Sequence, residues 1–544
     1  MNGADAIVKA LENEGVKYIF GYPGATIAAV YDSLSRSKKI EHVLVRHEQH
    51  AGHAANGYAR ISGKPGVCMT TSGPGAANLI TGIATAYMDS VPLVCITGQV
   101  DSALLGRDVF QEADVTGACE SFTKYSYLVK DPMDLPRIIK EAFHIAGTGR
   151  PGPVLIDIPS DLQLVEGKYT FPEDVNIRGY KPTFKGHMGQ VKRLIRELKR
   201  AQRPLICAGG GIFNSKAQDT FEKFVETLNI PVVSTMMGLG TIPTGHPLYM
   251  GMVGTHGKSV ANRALSESDI LILMGARVSD RAVLLPDRIK RKTKIIHIDI
   301  DPAEIGKNLD TYLPIVGDLN SVMEQIMNYD LPSCDDGWVK HLTEEKEKIE
   351  PDYDNRKSGI NPKAFVNRLT KEMADDYVYV ADVGQNQLWS AANIDIRNGG
   401  RFLTTGGMGT MGYSISAALG ARLASLEEKK DGRYTVAVCG DGSYQMNMME
   451  LATICQEGAD VKVIVMVNGK LGLVREIQSS GYNDNLYAVS LKGSPDPVAI
   501  AKAYGVDGGW LTKEEDTEDA INKLLTHKGP YVLAVEVDYK ESSI

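Results

Sequence analysis

The feature that most constrains this chain is an unbroken strand–turn–helix–strand pattern over residues 436–475. Residues 436–439 are apolar, and Gly440-Asp441-Gly442-Ser443 reads as a turn. An amphipathic helix follows, and a second apolar run over 461–467 ends at Asn468-Gly469-Lys470. Strands joined this way lie parallel with a right-handed crossover, which brings Asp441 and Asn468 to the same edge of a sheet. A carboxylate, an amide oxygen and nearby backbone carbonyls are hard ligands of the kind Mg²⁺ accepts, with phosphate oxygens completing its shell. Gly440 and Gly442 let the backbone approach a diphosphate closely. The same residues also fit an ordinary turn in which Asp441 only caps its helix.

The alternation recurs in three segments, 1–170, 185–345 and 355–544. Apolar runs at 67–71, 92–97 and 154–158 mark strands in the first. Runs at 204–208, 231–234, 270–274 and 295–298 mark the second, and runs at 378–381, 435–439, 461–467 and 532–537 the third. Strands separated by helical patterns predict parallel sheets covered on both faces. The expected fold class is therefore α/β, with three doubly wound parallel-sheet domains. Residues 177–189 read as a linker, and the charged run 344–350 as a solvated helix face. A chain of 544 residues exceeds what one core can organise.

A net charge of -8 without a dense basic stripe argues against a nucleic-acid partner. The 7 cysteines are scattered and form no CxxC, which suits reduced thiols. The N-terminus opens directly into a helical pattern, and no apolar run reaches the length of a membrane span. A soluble, cytoplasmic protein is expected.

Gly407, Gly409 and Gly412 match G-x-G-x-x-G, but the acidic residue expected about twenty positions later falls only in the charged stretch around Glu427. Gly209-Gly210-Gly211 follows an apolar run, yet the sixth position is Asn214. A nicotinamide enzyme is therefore disfavoured. Glu48 lies at the start of a small-residue helical pattern, where a carboxylate can complement the helix dipole or serve as a proton-transfer group tuned by burial. Ser72-Gly73-Pro74-Gly75 and the turn ending at Gly24 read as helix openings that present backbone N–H groups to a ligand or simply turn the chain.

Taken in order, RHEQ, SGPGAAN, DVFQEADV, RPGPVLIDIP, MGLGTIP, GGMGTMG and GDGS…VNGKLGLV span nearly the whole chain. Their pattern resembles the thiamine-diphosphate-dependent enzymes, in the branch of the acetolactate synthase catalytic subunits. The resemblance implies a pyrimidine-binding domain, a central FAD-binding-like domain and a diphosphate-binding domain, assembled at least as a homodimer. Asp441, Asn468 and the Lys470 carbonyl match the Mg²⁺ ligands. Gln385, Asn386, Gly442 and Ser443 fall where the diphosphate is held, and Gly24 and Ser72 in cofactor-binding turns. Glu48 matches the glutamate that protonates the aminopyrimidine, Met411 the residue that bends the cofactor, and Gly409 the carbonyl that accepts from its amino group. Phe110 and Gln111 match residues of the active centre, and Arg281 an arginine for the acceptor carboxylate. Flavin-contacting stretches correspond to Gly209, Gly210, Gly211, Met237, Gly238, Leu239, Gly254, His256 and Arg277.

The departures cluster on the acceptor side. Ile477 stands for a tryptophan, Ser160 for a lysine and Thr255 for a methionine, while Val278-Ser279 replace Phe-Asp. Asn386 replaces a histidine, and Val467 precedes the ligand Asn468 where the pattern has a second asparagine. The resemblance implies a carboligase that decarboxylates pyruvate and joins the fragment to a second 2-oxo acid, giving acetolactate, as in branched-chain amino acid biosynthesis. A thiamine-diphosphate C–C hydrolase acting on a diketone, or a 2-oxo acid decarboxylase, is the alternative that the altered acceptor side keeps open. It also implies thiamine diphosphate, Mg²⁺ and FAD as cofactors, a homodimer or homotetramer, and a regulatory small subunit as a further partner.

Overall fold

A computed structural model describes residues 1–279, 292–349 and 359–543. Its strands form three six-stranded sheets, and every pairing within them is parallel. The first contains β1 (Tyr18–Tyr22), β2 (Glu41–Leu44), β3 (Gly66–Thr70), β4 (Leu93–Gln99), β5 (Tyr125–Leu128) and β6 (Pro153–Pro159), in the order 2-1-3-4-6-5. The second contains β7 (Pro204–Ala208), β8 (Val232–Ser234), β9 (Tyr249–Met252), β10 (Ile270–Met274), β11 (Lys294–Asp299) and β12 (Leu313–Val316), in the order 12-11-10-7-8-9. The third contains β13 (Tyr377–Ala381), β14 (Arg401–Leu403), β15 (Tyr434–Gly440), β16 (Lys462–Val467), β17 (Asp507–Leu511) and β18 (Tyr531–Glu536), in the order 14-13-15-16-18-17. The first and third sheets therefore share one strand order, and the central one has the doubly wound order.

Helices cover these sheets because their apolar residues repeat on one face. In the helix Met188–Leu198, Val191, Leu194, Ile195 and Leu198 are buried at helical spacing. The helices Glu48–Ser62 and Ser414–Glu427, from the first and third domains, pack along each other through alanines and glycines. A Cβ on Gly57 would overlap the Ala417 carbonyl, and one on Gly420 the Ala54 carbonyl, so these positions tolerate only hydrogen. Tyr413 donates to Asn56 across the same interface at 2.8 Å.

The 436–475 stretch differs from its sequence reading in one respect. No separate turn follows β15: the helix Asp441–Asn447 starts at Asp441 itself and breaks at Met448–Glu450 before resuming as Leu451–Gln456. The break carries Glu450 into a buried bond with His50 at 2.9 Å, so an interdomain contact outweighs helix continuity. Arg281 lies outside the described residues. Among the described residues, no helix is long and apolar enough to cross a membrane.

Candidate active site

Strands that end together deliver two groups of polar residues. At the carboxyl edge of the first sheet, Gly24 follows β1 and packs against the loop after β3, where a Cβ would collide with the Thr71 side chain. Thr26 and Thr71 hydroxyls lie 2.9 Å apart, and the Ser72 N–H donates to Thr26 Oγ1 at 3.0 Å. The buried Ser72 hydroxyl itself has no hydrogen-bond partner among the described residues. Gly73 takes φ 58°, opening the helix Pro74–Met88, and a Cβ there would press on the Gln111 backbone. Gln111 also has positive φ, at 61°, an unusual state for a residue with a side chain. Phe110 beside it is 87% exposed. Ser160 follows β6, donates its N–H to the Gln99 carbonyl at 3.0 Å, and bonds the Asp101 carboxylate through its hydroxyl.

Glu48 is the first residue of its helix, as its sequence position implies, and is half-buried. Asn78, one turn into the next helix, donates to Glu48 Oε2 at 3.0 Å. A Cβ added at Gly75 would lie 3.4 Å from the other carboxylate oxygen.

The second group sits at the carboxyl edge of the third sheet, at the ends of β13, β15 and β16. Asp441 is 5% exposed and accepts from the Gly442 N–H at 3.0 Å and the Gly469 N–H at 2.7 Å. Burial pushes its carboxyl up to about 6, against the opposing pull of these backbone donors. Asn468 Oδ1 accepts from the Lys470 N–H at 3.0 Å, while its Nδ2 donates to Gln385 Oε1 at 3.1 Å. The short pairing of Lys470 with Ser490 uses the Gly469 carbonyl and the Leu471 N–H, not the Lys470 carbonyl. Gly442 faces Met411, whose methyl would lie 3.5 Å from an added Cβ. Ser443 is buried beneath, donating to the Val383 carbonyl at 3.3 Å. Gly409 has φ 70° and open space around it.

The side-chain amides of Gln385 and Asn386 are committed within the protein. Gln385 Nε2 donates to Glu476 and to the Glu541 carbonyl, each at 2.8 Å. Asn386 Nδ2 donates to the Asp382 carbonyl at 2.8 Å and the Val438 carbonyl at 3.2 Å. Asp382 is an organiser that the sequence reading missed. Fully buried after β13, it accepts from the N–H groups of Val383, Gly412, Tyr413 and Ser414, fixing the loop that carries Met411. Burial raises its carboxyl while these donors pull it back. Its signal was the same as that of Asp441, an acid directly after an apolar strand. Asn78 gave none, being one polar residue on an exposed helical turn.

The third set lies along the carboxyl edge of the central sheet. Gly209, Gly210 and Gly211 follow β7, and Met237, Gly238 and Leu239 follow β8. Gly254, Thr255 and His256 follow β9, and Arg277 follows β10. Gly209 and Gly211 press against Gly275, and Gly238 against the Ala208 carbonyl. The turns after β7 and β10 meet where the strand order reverses, the usual place for a dinucleotide in such sheets. Ile477, on the helix Gly472–Gly481 beside the Asp441 group, is 53% exposed.

Among the described residues, no hydrogen bond joins the Glu48 group to the Asp441 group. Each is a half with its own ordered loops.

Sequence profiles match three regions in the order of the sheets. Residues 1–118 match the thiamine pyrophosphate enzyme N-terminal TPP binding domain, 191–326 the central domain, and 382–535 the C-terminal TPP binding domain. Among curated proteins, the chain is 42% identical to an acetolactate synthase of Arthrospira platensis, over 99% of this chain and 95% of that protein. It is 42% identical to an acetolactate synthase large subunit of Corynebacterium glutamicum, over 96% and 84%. A large subunit from Lactococcus lactis is 40% identical, over 99% and 93%.

Proposed function

This chain belongs to the thiamine pyrophosphate enzymes, and from that premise we propose that it uses thiamine diphosphate and Mg²⁺ to convert pyruvate into acetolactate. The observation that carries this reading is the meeting of Asp441, Asn468 and Gly442 at the ends of β15 and β16. Asp441 is a buried carboxylate held by two N–H groups and, among the described residues, in no ion pair, which suits a hard divalent ion. Asp441, Asn468 and the Lys470 carbonyl would hold the metal. Ser443 and the first N–H groups of the helix Gln385–Asn393 would face the diphosphate, since the Gln385 and Asn386 side chains are occupied.

When bound, thiamine diphosphate supplies the electron sink that decarboxylation of a 2-oxo acid needs. The chain's own part is to bind, bend and move protons. Met411, on the loop fixed by Asp382, would wedge against the cofactor. The Gly409 carbonyl would accept from its amino group. Glu48, with one oxygen held by Asn78, would exchange a proton with the pyrimidine ring, a role suited to a carboxylate at a pocket edge. Gly24, Ser72, Phe110 and Gln111 would line the same centre, and Arg281 would receive the acceptor carboxylate, since a guanidinium binds one with two bonds. Because the Glu48 and Asp441 groups do not bond within one chain, we take the complete centre to form between two chains, in a homodimer or homotetramer. A regulatory small subunit is a further expected partner, as two relatives are named large subunits.

FAD fits the central sheet at its switch point, with Gly210, Met237, Gly254, His256 and Arg277 on the loops that would surround it. A yellow protein whose flavin is released on denaturation would support that; a colourless protein fully active without added flavin would overturn it.

Purified protein with thiamine diphosphate, Mg²⁺, FAD and pyruvate should form acetolactate. Acetaldehyde alone would instead support a decarboxylase, and turnover only of a diketone a hydrolase. That second reading rests on the exposed Ile477, with Ser160 and Thr255, where the acetolactate synthase pattern has bulkier or charged residues. Competition between pyruvate and 2-oxobutanoate as acceptors should show no strong preference for the latter.

A further inference from the structure

We propose that the cleft where the three domains meet, on the amino-terminal edge of the first sheet, binds a small organic oxyanion, a carboxylate or a phosphate ester. The cleft has a volume of ≈ 460 Å³, within the range of small-molecule pockets. Lys17, Pro65 and Pro92, which line it, directly precede β1, β3 and β4. It therefore opens on the edge opposite Glu48, apart from the centre described above.

Cations from all three domains line this cleft: Lys17, Arg60, Lys64 and Lys140 from the first, Lys216 from the second and Arg401 from the third. Four of these are already neutralised: Lys17 pairs with Glu41, Lys64 with Glu427, Lys140 with Glu14, and Arg60 with Asp89, which also lines the cleft. Arg60 bonds Asp89 at 3.1 Å and the Thr404 carbonyl at 2.7 Å. Among the described residues, Arg401 and Lys216 form no ion pair. Arg401 donates to the Arg60 carbonyl at 3.0 Å, lies 4.2 Å over the Phe213 ring, and buries an Nε that has no acceptor. Burial, then the like charges of Arg60 and Arg433, push its guanidinium down to about 10. Arg60 and Arg433 each have a carboxylate in direct contact, whereas Arg401 has only the more distant Glu428 and Asp376, and a bound oxyanion would give it a direct partner. A planar guanidinium backed by an aromatic ring is a common receptor for such a group. The aromatic walls from Phe213, Phe143 and Tyr18 suit an organic body over a bare ion. A ligand there would brace all three domains at once, as an effector of the assembly.

The cleft shares Gly210 and Met237 with the loops assigned to flavin, so the test uses protein loaded with thiamine diphosphate, Mg²⁺ and FAD. Thermal unfolding is followed while inorganic phosphate or succinate is titrated against sodium chloride of equal ionic strength. A saturable rise in unfolding temperature is expected with at least one of them. Its half-saturation should weaken at least tenfold in Arg401→Met and in Lys216→Ala, with initial rates on pyruvate unchanged when no probe is added. A rise with phosphate alone would mark a phosphate ester as the ligand class, and a rise with succinate alone a carboxylate. Three results overturn the proposal. One is no saturable rise with either probe, and another is an equal rise in both variants, which means an adventitious ion only. The third is a rise seen only when FAD is omitted, which makes the flavin the occupant. Should Arg401→Met not fold, Lys216→Ala alone carries the comparison.

Discussion

Asn78 Nδ2 lies 3.0 Å from Glu48 Oε2, and this single neutral donor fixes the carboxylate at the mouth of its helix. No cation pairs with Glu48 among the described residues, so its charge is available to a ligand. Glu48→Gln keeps the shape and the Asn78 contact but cannot carry the proton. Turnover should fall by about 10²-fold or more, the scale of general acid–base catalysis, while cofactor affinity changes little. Asn78→Ala should cost less, about tenfold, because it removes orientation and leaves the acid. Steady-state rates with parallel cofactor titrations decide it, and near-normal turnover of Glu48→Gln would refute the proton-transfer role.

Asp441 presents the opposite problem, a buried carboxylate whose metal-free state is unfavourable. Asp441→Asn removes the charge and keeps only one of the two N–H contacts, because Gly442 and Gly469 donate to different carboxylate oxygens. With metal, its half-saturating Mg²⁺ concentration should rise at least tenfold, because one ionic ligand is lost. Unchanged Mg²⁺ dependence of activity would exclude Asp441 from the metal shell.

The interior of each sheet could be read directly from the chain. Every interior strand except β1 coincides with an apolar run, because strands covered on both faces leave no room for alternation. The six edge strands, β2 and β5, β9 and β12, β14 and β17, are very short or are interrupted by polar residues, glycine or proline. Asp507–Leu511 is glycine-rich and only partly buried, and Arg401–Leu403 is only three residues long. β1 was lost for another reason, as Gly21 breaks its run where a Cβ would strike the Met69 carbonyl. Asp441 and Asn468 were legible because an acid and an amide each end a strand of one βαβ unit. The roles of Glu48, Met411 and Arg281 came from resemblance, since nothing in their spacing alone distinguishes them. Asp382 and Asn78 each bond residues about thirty positions away, and the cleft at Arg401 joins segments hundreds of residues apart, which no local pattern records.

Gly420 tests the packing of the first domain on the third. Alanine in a helix interior is ordinarily favoured over glycine by about 1 kcal/mol. Here the new methyl would overlap the Ala54 carbonyl, which belongs to a helix backbone and cannot turn aside. Overpacking costs typically ~1–3 kcal/mol or more, so Gly420→Ala should destabilise despite its better propensity. Gly481, at the end of the helix Gly472–Gly481 with nothing within 4 Å of its Cβ position, is the control. Gly481→Ala should leave the unfolding temperature unchanged or slightly raised. A Gly420→Ala protein as stable as the control would mean that the two helices separate freely.

Asp157 gives a pH dependence whose sign can be worked out. Its side chain is 1% exposed, between the Thr97 hydroxyl at 2.7 Å and Gln99 Nε2 at 2.9 Å. Burial raises its carboxyl to about 7, only partly offset by those donors. In the unfolded chain an aspartate titrates near 3.9. Below about pH 4 both states hold the proton, and the residue is neutral in stability. Between about 4 and 7 the unfolded chain releases its proton while the folded one keeps it, so stability falls as pH rises, and above about 7 the penalty is complete. Three pH units correspond to roughly 4 kcal/mol at most. Asp157→Asn removes the titration while its amide can donate to Thr97 and its oxygen accept from Gln99. The variant should therefore gain on the parent protein across this window, with a larger urea-midpoint advantage at pH 8 than at pH 5. An advantage independent of pH, or a variant weaker at pH 8, would show that Asp157 is ionised in the folded protein throughout.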